Sequence, residues 1–145
     1  MIDFIETFEV PLYPGHLSVI RTDNFDDCYE LADIDRDKYH LDMDTDHADA
    51  ITFDHPEDRT RVFIAIMSDT PSDVVVHECT HAANIIFKYA GIEVDLSNDE
   101  PYAYLVQWVF ASVQKSIRKN TSRREILEKE IDFLLEDFPN VIQGK

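Results

Sequence analysis

Residues 70–91 read TPSDVVVHECTHAANIIFKYAG, with helix-start residues at one end and a helix-stop residue at the other. Thr70 is a good N-cap, Pro71 suits the first helical position, and the acid two residues later suits the first turn of a helix. Gly91 suits the left-handed residue that ends many helices. The sequence therefore predicts a helix from about Pro71 to Ala90.

This helix contains His77-Glu78-Cys79-Thr80-His81, the pattern HExxH. Residues four apart lie on the same face of a helix, so both imidazoles can bind one metal ion while Glu78 lies beside them. Two imidazoles and a carboxylate around an ion with an open fourth position form a usual catalytic zinc site. Glu78 is then placed to accept a proton from water. The competing interpretation is an ordinary pair of helix histidines beside a solvated glutamate.

Glu100 is the first candidate for the third zinc ligand. At about 1.5 Å per residue, Gly91 lies about 15 Å beyond His81 along the helix. Residues 92–99, if extended, span at most about 26 Å, which is enough to return to the level of the metal. The next helix, predicted to begin near Pro101, would then present Glu100 to the site.

Other assignments remain open around this turn. Pro101 biases Glu100 away from helical backbone, and Ser97-x-x-Glu100 is also a capping box, so Asp99 is an alternative ligand. A hydrolytic transition state also needs a hydrogen-bond donor besides the metal. Tyr104, one turn after Glu100, is the candidate catalytic donor, and a core tyrosine is the alternative interpretation.

An HExxH followed at this interval by a glutamate that begins the next helix resembles the gluzincin branch of the zincin metallopeptidases. The pattern DExxAY at 99–104 is similar to small zincin-like proteins of bacteriophages and bacteria. The resemblance covers about residues 60–112. The chain has no HExxHxxGxxH pattern, so the metzincin branch does not fit.

This resemblance implies specific roles. His77 and His81 would bind Zn²⁺, Glu78 would be the general base, and Glu100 would be the third ligand. The strand before the active-site helix, at 61–67, would line the cleft and offer backbone hydrogen bonds to an extended substrate.

The rest of the chain alternates between extended and helical patterns. Extended segments are predicted at 4–10, 17–21, 39–44, 51–53 and 62–67. A short helix is predicted from Asn24 to Leu31, and the glutamate helix is expected to end near Arg118. A third helix begins at Ser122 and ends before Pro139, with a stripe formed by Leu127, Ile131, Leu134 and Phe138. The fold class is α+β, a minimal zincin-like domain over residues 1–145 with a small mixed or antiparallel sheet of about four strands.

The charge excludes several kinds of partner. The chain of 145 residues carries 30 acidic and 13 basic side chains, a net charge of −17. Such a surface argues against direct nucleic-acid binding and against docking on anionic membranes. Residues 23–58 hold 14 of the acids and two bases, so a basic protein partner would bind there. The helix at 121–138 is either an appendage or an oligomer contact.

The remaining sequence features indicate the cytoplasm, or the host cytoplasm for a phage gene. No signal-peptide pattern, long apolar run or CxxC pair is visible, and Cys28 and Cys79 are isolated. We therefore expect a zinc-dependent peptidase acting on a peptide or protein substrate. A narrower form of this hypothesis is a regulatory peptidase that cleaves one dedicated protein target. The alternative is an acidic, zincin-shaped interaction or inhibitor protein without peptidase activity.

Overall fold

The computed structural model describes residues 1–41, 47–121 and 123–137. Its elements in chain order are β1 (Ile2–Glu9), β2 (His16–Thr22), α1 (Asp26–Leu31), α2 (Arg36–Tyr39), β3 (Ala50–His55), β4 (Asp58–Ile66), α3 (Ser72–Ala90), α4 (Glu100–Asn120) and α5 (Arg123–Asp137). This is an α+β fold with a four-stranded mixed sheet, which confirms the predicted class. No helix in the described ranges is long and apolar enough to cross a membrane.

The strands are arranged in the order β1-β2-β4-β3. β1 is antiparallel to β2, β2 is parallel to β4, and β4 is antiparallel to β3. β4 is therefore a central strand whose backbone groups pair on both sides. The prediction that residues 61–67 offer backbone hydrogen bonds to a substrate is wrong for this reason. β3 is the edge strand of the described sheet beside α3.

Helices cover both faces of the sheet. On one face, a buried cluster joins strand residues to α1 and the segments around it, and its members include Ile20, Phe25, Cys28, Tyr29, Phe53 and Phe63. Side chains alternate between the faces of a strand, so the intervening buried residues Val19, Val62 and Ile64 point to the other face. α3 packs there against β3 and β4 through Val75, Cys79, Ala82, Ala83 and Ile86. The apolar run of β4 is buried because both of its faces are covered.

The ends of α3 show which local signals the fold uses. Gly91 ends the helix in the left-handed conformation, with φ 73°, as predicted. At the other end Pro71, in extended conformation, occupies the N-cap position predicted for Thr70. The Thr70 hydroxyl is engaged elsewhere, because it accepts from the Met67 N–H at 2.8 Å and donates to the Asp49 carbonyl at 2.7 Å.

The predicted strand at 39–44 is wrong over residues 39–41. The Asp35 side chain caps α2 by accepting a hydrogen bond from the Lys38 N–H at 3.1 Å, and Tyr39 is the last residue of that helical turn. His40 then adopts the left-handed conformation, with φ 51°. Residues 42–44 lie outside the described ranges.

Contacts group the chain into two compact units, Met1–Gln114 and Lys115–Lys145. The first holds the sheet, α1 to α3 and most of α4. The second holds the end of α4 and α5, where the predicted stripe residues Leu127, Ile131 and Leu134 are 48%, 49% and 40% exposed. Ser122 and Phe138, the predicted limits of the last helix, lie outside the described residues.

Candidate metal centre

His77 and His81 converge on one point of the exposed face of α3. Their Nε2 atoms lie 3.0 Å apart, and their rings meet edge to face at 82°. Two nitrogens bound tetrahedrally to one zinc ion at 2.0–2.1 Å are about 3.3 Å apart. The pair is therefore within a few tenths of an ångström of the spacing that zinc requires, and the residues fit the ion.

Glu78 lies next to the histidine pair, on the side of the same turn that faces β3. It is 8% exposed, and a carboxylate oxygen lies within 4.8 Å of both histidine nitrogens. The Thr52 hydroxyl on β3 lies 2.6 Å from Glu78 Oε2 and 3.1 Å from the Glu78 backbone carbonyl, and can donate to either. A buried carboxylate needs such a donor, because its loss of hydration is otherwise uncompensated. Thr52 thus supports a carboxylate that the metal site would use.

Thr52 was not identified from the sequence. The alternating pattern of the strand indicates only which face Thr52 is on, since Ile51 and Phe53 beside it belong to the core on the other face. Pairing it with Glu78 requires knowing which strand lies under α3, and that depends on contacts between distant residues.

An open cleft of about 440 Å³ borders His81 and Glu78. Edge strand β3 and helix α3 form its two walls, and its lining includes Ala48, Thr52, Glu78, His81, Asn84 and Lys88. A carboxylate, an imidazole and the edge of a sheet therefore share one solvent-accessible space.

The structure does not bring Glu100 or Asp99 into this group. Among the described residues, His77, Glu78 and His81 alone form a cluster of His, Cys, Asp or Glu with metal-binding spacing. Glu100, the first residue of α4, lines a different pocket, where Tyr104 also lies, 66% exposed. The roles predicted for Glu100 and Tyr104 stay predictions.

The position of α4 explains this separation. Tyr102, in its first turn, donates a hydrogen bond to Asn84 Oδ1 at 2.7 Å, and its ring lies 5.5 Å from that of Phe87. The loop after α3 therefore returns to the level of residues 84–87, about 4.5–9 Å beyond His81 along the helix. Tyr102, rather than Tyr104, is the tyrosine that contacts a cleft residue.

Cys79 lies within the HExxH motif but faces the sheet. It is fully buried, and burial raises the pKa of its thiol to about 12. The thiol therefore stays protonated at neutral pH and is a packing residue of the core, since only the thiolate binds metals well.

Comparisons with protein-family models, with curated proteins and with solved structures return no match. The function is therefore inferred from the side chains of the site and from their geometry.

Proposed function

We propose that this protein is a zinc-dependent hydrolase that cleaves peptide bonds. The observation that carries the proposal is the convergence of His77 Nε2 and His81 Nε2 at 3.0 Å, with the Glu78 carboxylate held beside them. Chance placement of two helix histidines would not require a buried glutamate with its own hydroxyl donor.

Each residue of the site has a distinct role in this proposal. His77 and His81 hold the zinc ion, which when bound supplies a Lewis acid that polarises a carbonyl and acidifies water. Glu78 accepts the proton from the attacking water and passes it to the leaving amine. Thr52 orients the Glu78 carboxylate. Glu100 stays the sequence-based candidate for a third ligand, and the proposal does not rest on it.

The edge strand favours an extended peptide as the substrate. β3 has backbone groups at the free edge of the described sheet, and an extended chain can add there as a further strand. Side chains of such a peptide would enter the cleft between β3 and α3. Substrates would therefore be flexible peptides or exposed loops.

Metal content tests the first part of the proposal. We expect the wild-type protein, purified without chelators, to contain about one zinc ion per chain by elemental analysis. His77→Ala and His81→Ala should each lose most of this zinc, because one imidazole alone binds weakly. His16→Ala, which removes an exposed histidine at the start of β2, is the matched control and should retain it. A wild-type protein free of zinc would contradict the proposal.

Cleavage of a mixed peptide library, followed by mass spectrometry, tests the second part. Glu78→Gln keeps the shape of the side chain and should keep the zinc. It should slow hydrolysis by about 100-fold or more, the usual effect of removing a general base. Undiminished cleavage by Glu78→Gln, with zinc bound, would show that the base is another group.

An acidic interaction protein is the second candidate function. A groove of about 460 Å³ near α1 and α2 favours it, because the groove is lined by Asp26, Glu30, Asp33, Asp35 and Asp37 together with Arg36. Glu78→Gln discriminates between the two candidates. A biological effect that survives this substitution belongs to the interaction role.

A further inference from the structure

A second pocket, which we call the aromatic pocket, has a volume of about 440 Å³. It lies between the turn that joins β1 to β2 and the first half of α4. Its lining includes Leu12, Tyr13, Asn98, Glu100, Tyr104 and Trp108. It shares no lining residue with the cleft beside His81. It is therefore a separate candidate site.

Large apolar side chains at the pocket are open to solvent. Leu12 is 98% exposed and Tyr104 is 66% exposed. Leu12 also has a φ of 67°, a left-handed conformation that is unfavourable for a residue with a side chain. An exposed leucine gains no burial in return for this strain. Strained backbone beside exposed apolar surface is typical of contact sites, so the turn has the features of a binding loop.

The charge of the pocket selects the ligand. Glu100 is the one carboxylate among its lining residues, none of those residues is basic, and the whole chain has a net charge of −17. A cation is therefore attracted and an anion repelled. The faces of Tyr and Trp rings attract guanidinium groups, which also pair with carboxylates through two parallel hydrogen bonds.

We propose that the aromatic pocket binds an arginine side chain presented by a basic protein segment. The aliphatic part of the arginine lies against the rings of Tyr104 and Trp108, and its guanidinium pairs with Glu100. Pockets rich in Trp and Tyr are the usual receptors for such anchoring side chains, and the volume is within the range of ligand sites. The inference does not depend on the proposed zinc chemistry.

Trp108 makes the test direct, because it is the single tryptophan of the chain. The probe is the blocked peptide acetyl-Gly-Ala-Arg-Ala-Gly-amide, titrated in 0.15 M salt while tryptophan fluorescence is followed. The same peptide with citrulline in place of arginine keeps the shape and removes the charge. We expect a saturable fluorescence change with the arginine peptide and about tenfold weaker binding of the citrulline peptide.

Three variants locate the binding. Glu100→Gln should weaken the arginine peptide by about tenfold and abolish its advantage over citrulline. Tyr104→Ala, at an exposed ring, should weaken both peptides. Glu93→Gln, which neutralises an exposed carboxylate outside the pocket, should bind like the wild type. Circular dichroism and thermal melting establish that each variant is folded.

Several results would overturn the proposal. They are equal binding of the two peptides, no saturable signal with the arginine peptide, an unchanged affinity in Glu100→Gln, or an equal loss in Glu93→Gln. Zinc content measured on the same samples distinguishes a failure of the arginine-binding proposal from a failure of the proposed zinc function. A zinc-free wild type that still discriminates between the peptides would contradict the proposed function alone.

Discussion

At the scale of single residues, the contact between Thr52 and Glu78 links the sheet to the candidate site. The Thr52 hydroxyl on β3 donates a hydrogen bond to the Glu78 carboxylate, which is only 8% exposed. Thr52→Val removes the hydroxyl and keeps the shape of the side chain. We expect a loss of about 1–3 kcal/mol in the free energy of unfolding, since a buried carboxylate loses a partner. Urea denaturation measures it.

Thr52→Ser is the matched control, because it retains the hydroxyl and loses a methyl group. It should keep most of the stability and, under the proposed function, the cleavage rate. Thr52→Val should retain zinc, because Thr52 acts on Glu78 and not on the histidines. Equal stability of the valine and wild-type proteins would mean that water replaces the hydroxyl without cost.

At the scale of elements, two glycines separate backbone strain from steric conflict. Gly91 has φ 73°, and a Cβ there would meet no atom within 4 Å. Gly91→Ala should therefore cost about 1 kcal/mol, the backbone term alone. Gly15 has φ 105°, and a Cβ there would lie 2.3 Å from the Thr60 carbonyl oxygen. Gly15→Ala should cost clearly more, because β4 must move. Urea denaturation of the two variants compares them, and equal losses would contradict this distinction.

The sequence predicts those parts of the fold that depend on residues close together in the chain. α3 and its end at Gly91 follow from signals within one helix, and the grouping of His77, Glu78 and His81 follows from helical spacing. The strand prediction is wrong at residues 39–41, because the cap from Asp35 outweighs their alternating pattern. Local sequence signals are therefore sufficient to predict the structure where residues that contact each other are also close in sequence.

Features that depend on distant contacts were not predictable in this way. The parallel pairing of β2 with β4 makes β3 the edge strand, and no local pattern records strand order. Thr52 meets Glu78 only through that arrangement. The side to which Glu100 points depends on where α4 packs along α3, and its contact with Asn84 sets that position. A chain-length estimate gives how far the loop can reach, but not where it stops.

At the scale of the whole molecule, like-charge repulsion should dominate the response to salt. With 30 acids and 13 bases, the acidic side chains outnumber the basic ones by 17. Ion pairs such as Arg36 with Asp26 and Lys38 with Glu57 lie at the surface, where each contributes little. Salt therefore screens more repulsion than attraction, and the folded state gains relative to the more expanded unfolded chain.

We expect the melting temperature to rise by about 3–5 °C between 20 mM and 500 mM NaCl, which corresponds to about 1 kcal/mol. Calorimetry at fixed pH and fixed zinc measures the rise, and the same titration with KCl should give the same curve, because screening depends on ionic strength. Most of the rise should occur below about 0.15 M, where the screening length falls to about 8 Å. A melting temperature that falls with salt would show that the surface ion pairs outweigh the repulsion among the acids of residues 23–58.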